Sequence, residues 1–187
     1  MRKNIILLMA VFLSTVASAQ SRKDVKKNRI KSTRITVTSY SGGTSSTANE
    51  SFQRFDSNGN VTEETDYNEA GVIKNRHTYS YNGNGDVTEE SVFGPDGKLK
   101  KREVLKYNAD GDRTQADRYD GSGTLVEKEL WTYSASGDRN AEVVMDAHNK
   151  VLRKVIILYD NKGMKTARKT FDGQNNLLSE KKYIYEY

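Results

Sequence analysis

The stretch YNGNGDVTEE, Tyr81 to Glu90, decides how the rest of the chain is read. Asn82, Asn84 and Asp86 alternate with Gly83 and Gly85, a spacing at which oxygen donors can surround Ca²⁺. The same residues also suit a tight hairpin. Asn82 opens the turn, Gly85 takes a left-handed backbone, and Val87 comes to lie opposite Tyr81.

Working outward, the hairpin reading extends along the chain and the calcium reading does not. Anchors, most of them aromatic and most followed by Asp, Asn or Ser, stand at Phe55, Tyr67, Tyr81, Phe93, Tyr107, Tyr119, Tyr133, Met145, Tyr159, Phe171 and Tyr185. Their intervals alternate between 12 and 14 residues, a 26-residue double repeat. Four residues after each of the first ten comes Gly or, at Asn149 and Asn175, Asn, the residues that most readily take a positive φ. Six residues after an anchor comes its expected cross-strand partner, such as Val61, Ile73, Val87, Leu99 or Leu125. A calcium loop needs about six to eight oxygens, normally including a later bidentate Glu. Here the chain after DSNGN, NGNGD and NADGD folds back as a strand, and the equivalent turns YSASGD and FDGQNN lack the full set of carboxylates.

The runs between turns, such as VTEETDY, KLKKREVLKY and TLVEKELWTY, are rich in β-formers and alternate roughly. The fold class is therefore all-β: an antiparallel meander of about 11 strands, forming one open or curled sheet. Residues 34–187 make a single β-repeat domain, opening on the strand Arg34 to Tyr40 and an irregular SGGTSS loop. Anchors, their partners and the residues two before the longer-interval anchors (Tyr79, Leu105, Trp131, Ile157, Tyr183) share one parity, which places them on one face. Thr62, Glu64, Lys74, Arg76, Lys100 and Lys128 then belong to a solvated face. The four consecutive apolar residues from Val155 to Leu158 imply cover on both faces there.

The N-terminus supplies an address. Arg2 and Lys3 precede an apolar run from Ile5 and the small residues Ala17, Ser18 and Ala19, so residues 1–19 read as a signal peptide. The run is too short for the roughly 20 residues of a spanning helix, and no transmembrane segment is expected after cleavage. Residues 20–33 form a basic N-terminal segment, and the expected localisation is periplasmic or secreted. The chain has no cysteine, which excludes disulfides, thiolate metal sites and cysteine nucleophiles. Its +5 charge falls to +3 without Arg2 and Lys3, giving no case for nucleic acid.

The pieces YSYNGNGDVT, LKYNADGDRT, WTYSASGDRN and ILYDNKGMKT resemble the tyrosine-aspartate repeats of the Rhs and teneurin group over Phe55 to Tyr187. With ASAQ at the cleavage site, the chain also looks like small secreted repeat proteins of Bacteroidetes. The resemblance implies extracellular binding or encapsulation and no catalytic residues.

No catalytic constellation appears. His77 and His148 sit at unrelated phases of the repeat, and no G-x-S-x-G elbow occurs. Glu63 and Glu64, like Glu89 and Glu90, are strand neighbours that point to opposite faces. The better candidate is an aromatic ladder of Tyr79, Tyr81, Tyr107, Trp131, Tyr133 and Tyr159, which serves either as core or as a surface that stacks on sugars or apolar peptide groups. The expected function is a non-enzymatic binding or interaction module of the bacterial cell envelope, with a glycan or protein partner and no metal or cofactor. The alternatives are a glycan hydrolase with carboxylates converging from different strands, or a purely structural, self-assembling protein. Homo-oligomers are expected to form through the sheet face or its exposed edges.

Overall fold

The computed structural model describes residues 21–41 and 43–186; the expected signal peptide lies outside them. One short helix, α1 (Arg22–Lys27), precedes twelve strands: β1 (Ser32–Ser41), β2 (Thr44–Phe55), β3 (Val61–Tyr67), β4 (Ile73–Tyr81), β5 (Val87–Phe93), β6 (Leu99–Tyr107), β7 (Arg113–Asp120), β8 (Leu125–Tyr133), β9 (Arg139–Asp146), β10 (Val151–Tyr159), β11 (Lys165–Asp172) and β12 (Leu177–Lys182). Each strand pairs antiparallel with its sequence neighbours in one sheet, and β1 and β12 are its two edges, so it does not close into a barrel. The count is twelve rather than about eleven because Thr44, Ser45 and Ser46 of the expected loop are already strand, paired with β1. Ser41 pairs with Thr44, and β2 begins there.

The ten turns from Asp56 to Asn176 share one geometry. In the opening stretch, Asn82 donates its main-chain N–H to the Asp86 carbonyl at 3.0 Å, and Gly85 donates to the Asn82 carbonyl at 3.0 Å. Gly85 sits at φ +86°, and the non-glycine equivalents Asn149 and Asn175 sit at +61° and +64°. Each anchor faces the residue six positions on, as Tyr81 faces Val87.

One step beyond that pair, every one of these hairpins skips a residue. Tyr81 pairs with Val87 but Ser80 pairs with Glu89, so Thr88 bulges out. Likewise Tyr67 pairs with Ile73 and Asp66 with Asn75, leaving Lys74 unmatched. A one-residue slip exchanges the faces of all later residues. Odd-numbered residues of β4 therefore share a face with even-numbered residues of β5, and the exchange recurs at each hairpin. This corrects the single-parity expectation. On one face, here face A, lie the anchors Phe55, Tyr81, Tyr107, Tyr133 and Tyr159; Tyr67, Phe93, Tyr119, Met145 and Phe171 project from the other, face B.

Face A holds most of the buried residues. Leu105, Ala116 and Trp131 form its core cluster, with Val87, Tyr107 and Tyr133 packed around them. No second layer of strands covers either face among the described residues, and long side chains lie over the rings instead. On face B the Arg76 guanidinium sits 4.8 Å from the Phe93 ring centre, and Arg102 sits 4.6 Å from that of Tyr119. The run Val155 to Leu158 is buried on one face and only partly covered on the other, where Ile156 is half-buried. Val155 and Ile157 are buried, whereas Leu158 is 42% exposed.

The basic N-terminal segment covers the first of the ten turns. Ser21 caps α1 by accepting from the Asp24 N–H at 3.1 Å, and Val25 is buried. Arg22 Nε donates to the Asn58 carbonyl, and the Lys31 carbonyl accepts from the Phe55 N–H, leading the chain into β1. A Cβ on Gly59 would collide with the Arg22 carbonyl, whereas one on Gly111, at a similar φ, would meet nothing. Gly59→Ala is expected to cost about 2–3 kcal/mol, from left-handed strain and the loss of helix docking, against about 1–2 kcal/mol for Gly111→Ala. Faster tryptic cleavage after Lys26 or Lys27 in Gly59→Ala alone is the check; equal cleavage in both variants would refute the docking role.

Candidate functional site

The bulges decide which side chains meet on face A. All six candidate aromatics, Tyr79, Tyr81, Tyr107, Trp131, Tyr133 and Tyr159, come from β4, β6, β8 and β10 at odd positions, so all six lie on that face. Trp131 is 7% exposed and belongs to the core, and the five tyrosines are half-buried. The indole Nε1 of Trp131 is buried without a hydrogen-bond partner among the described residues.

The tyrosines that end strands form a second regular device. Each hydroxyl donates to the carbonyl of the residue twenty positions earlier: Tyr81 to Val61 at 2.6 Å, Tyr107 to Val87 at 2.6 Å and Tyr133 to Arg113 at 2.7 Å. Tyr159 to Arg139 and Tyr185 to Lys165 repeat the contact. Each ring therefore pins the end of its strand to the start of the preceding one. Burial pushes the Tyr81 phenol up to about 12, so it remains a donor across the ordinary pH range.

Between the aromatics, face A carries charge that the single-parity pattern concealed. Arg118 on β7 reaches Glu103 on β6 at 2.7 Å and Glu129 on β8 at 2.6 Å, and it also bonds Glu127. Burial opposes the guanidinium charge, but Glu129, Glu103 and Glu127 outweigh it and hold the group protonated. Glu129 is 6% exposed. Burial raises its pKa, the Arg118 contact offsets part of that, and the nearby Glu142 adds to the rise. Glu142 in turn accepts from Arg153 at 3.1 Å. The carboxylates that converge from different strands are thus held by arginines.

A smaller cluster surrounds His77 on β4. Its Nδ1 lies 2.9 Å from Glu90 on β5 and its Nε2 lies 3.5 Å from Asp66 on β3, while its ring stacks on Tyr79. Hydrogen bonds to Asp66 and Glu90 raise its pKa to about 9, against the opposing effect of burial. A folded pKa above the ordinary 6.5 means that the imidazolium stabilises the fold fully below about pH 6.5, and that this contribution disappears as pH rises through about 9. The contribution is of order 3 kcal/mol. Urea midpoints should fall between pH 6 and pH 10, and His77→Gln should remove most of that fall. A variant with the same slope as the parent would contradict this assignment.

The opening stretch is occupied by its own turn. Asn82 Oδ1 accepts from the N–H groups of Asn84 and Asp86, and its Nδ2 donates to Asp86 Oδ2. No cluster of three or more His, Asp or Glu side chains suited to a metal ion occurs among the described residues. A cleft of about 660 Å³ opens between the β6–β7 and β8–β9 turns, with Asn108, Asp112, Trp131, Tyr133 and Ser134 among its walls. Among the described residues, no helix is long and apolar enough to cross a membrane.

The six aromatics share one face, as their positions along the chain imply, whereas the Arg118 and His77 clusters do not follow from parity along the chain. Their alternation is visible only once the bulge after each turn is known, because Glu90 and Arg118 have the opposite parity to Tyr79 and Glu103.

A family model described as an uncharacterised protein matches residues 14–150. No curated protein matches the chain. Among solved structures, a porin-like protein from Bacteroides uniformis is 12% identical with a TM-score of 0.46, the match covering 74% of this chain and 70% of that one. A porin-like protein from Bacteroides vulgatus is 10% identical with a TM-score of 0.41, over 78% and 83% of the two chains. The Tc holotoxin pore of Photorhabdus luminescens is 12% identical with a TM-score of 0.35, over 76% of this chain and 9% of that one.

Proposed function

This chain belongs to the family described as an uncharacterised protein, and from that premise we propose that it is an exported, non-enzymatic binding module whose face A takes a linear glycan. The observation that carries this reading is the tyrosine row. Tyr81, Tyr107, Tyr133 and Tyr159 recur on every second strand, which at about 4.8 Å per strand spaces them by roughly 10 Å. Each ring is half-buried and held by its hydroxyl, so it loses little freedom when a ligand arrives. A regular ladder of held aromatics flanked by carboxylates and amides suits a polymer of flat, hydroxylated units. The signal-like N-terminus supports export to the periplasm or beyond.

The test is a glycan array run beside a pull-down from envelope extract, using the full chain. Replacing Tyr107 and Tyr133 by Phe keeps the rings but releases their hydroxyl anchors, and should weaken glycan binding only slightly. Replacing both by Ala should weaken it about tenfold. Binding to protein alone would move the function to a protein partner, and binding to neither would favour a self-assembling structural role. The hydrolase alternative draws on Glu129 and Glu142, which lie close enough for one to raise the other. New reducing ends in the same incubations, lost in Glu129→Gln, would establish it over the binding module.

A further inference from the structure

We propose that β12 is a dimerisation strand, pairing antiparallel with β12 of a second copy across a two-fold axis at Lys181. This goes beyond the glycan-binding reading and does not depend on it. β12 pairs with β11 on one side and with nothing on the other among the described residues. Large apolar side chains gather on this edge: Leu177, Leu178, Tyr183 and Tyr185 are exposed, and Ile184 is 86% exposed.

The backbone restricts the register. Tyr183 donates its N–H to the Thr166 carbonyl, so Lys181 and Ser179, up to the bulge at Leu178, also turn their main-chain groups towards β11. Glu180 and Lys182 turn theirs outward, and a second strand must match these even residues with even. Centring on Glu180 or Lys182 would set like charges directly opposite on the outward-bonded row. Centring on Lys181 pairs Glu180 with the partner's Lys182, twice by symmetry, and carries the exposed Ile184, just past β12, towards the bulged Leu178 of the facing strand. The charge order then runs on from β11, since Glu180 lies 3.5 Å from Lys169 and 3.9 Å from Lys182 of its own strand, and the Lys182 side chain is exposed enough to turn to the partner's Glu180. One unfavourable contact remains, Lys181 facing its own copy. It makes a distinctive expectation: removing that charge should tighten the dimer.

The experiment is sedimentation analysis of the full chain across a concentration series. The parent should show a reversible monomer–dimer equilibrium, and Ile184→Lys, at a site already open to water, should shift it to monomer without altering the circular dichroism spectrum. Glu180→Lys and Lys182→Glu should each weaken the dimer about tenfold, and the double exchange Glu180→Lys with Lys182→Glu should restore it. Lys181→Gln should strengthen it. A parent that stays monomeric, a dimer insensitive to Ile184→Lys, or an unlimited ladder of oligomers, which would mean head-to-tail addition of β12 onto β1, would each overturn the proposal.

Discussion

Arg118→Leu is expected to destabilise the protein by about 2–4 kcal/mol, because it removes one member of a partly buried ionic cluster and leaves the others, Glu129 above all, unpaired. The side chain holds Glu103, Glu127 and Glu129 from three strands at once. Without it, three carboxylates would face one another, with Glu129 buried and Glu103 and Glu127 partly exposed. The loss should also depend on pH in a defined direction. Burial already raises the Glu129 pKa, and removing Arg118 would raise it further. An acid whose folded pKa lies above its unfolded value favours the fold while protonated and loses that contribution as pH rises through the folded value. The gap between parent and variant should therefore be smaller near pH 5 than near pH 8, measured by urea midpoints. A gap of equal size at both would mean that Arg118 acts by packing alone. Arg118→Lys, which keeps the charge but not the three-way geometry, should fall between.

Trp131→Ala should have an effect of similar size, about 3–5 kcal/mol, through loss of the largest side chain in the core cluster. Its location makes the consequence local. Strands in a meander touch only their neighbours, so stability is close to a sum of adjacent interfaces. Hydrogen exchange should accelerate first in β6 to β9 and least in β1 and β2. Uniform acceleration would show instead that the sheet unfolds as one unit. Trp131→Phe should cost much less, because the indole N–H has no partner to lose and only ring area disappears.

Most of the architecture was legible because turn chemistry is local. Gly85 and Asn149 announce a positive φ by residue type alone, and the Asn82 side chain closes its turn through neighbours two and four residues away. The 12 and 14 spacing then forces antiparallel neighbours, since each connection is too short for anything else. The first hairpin was less legible, as SGGTSS lacks an anchor and Ser and Thr serve strands and loops equally. The helix α1 carries no apolar periodicity long enough to notice, with Val25 its only buried residue.

The candidate site was half legible for a different reason. The bulge residues Thr88, Lys74, Val126 and Leu152 share no side-chain type, so composition cannot mark them. What creates the bulge is the pairing of a whole hairpin, which carries the return strand one residue further than simple opposition. That slip put Glu90 beside His77 and Arg118 among the glutamates.

The sequence by itself determined the turns, the strand order and the tyrosine row, because each depends on residues a few positions apart or on strict repetition. Only the tertiary structure decided which residues share a face, where the core sits and which edge lies open. Those follow from register, and register belongs to pairs of strands rather than to either strand alone.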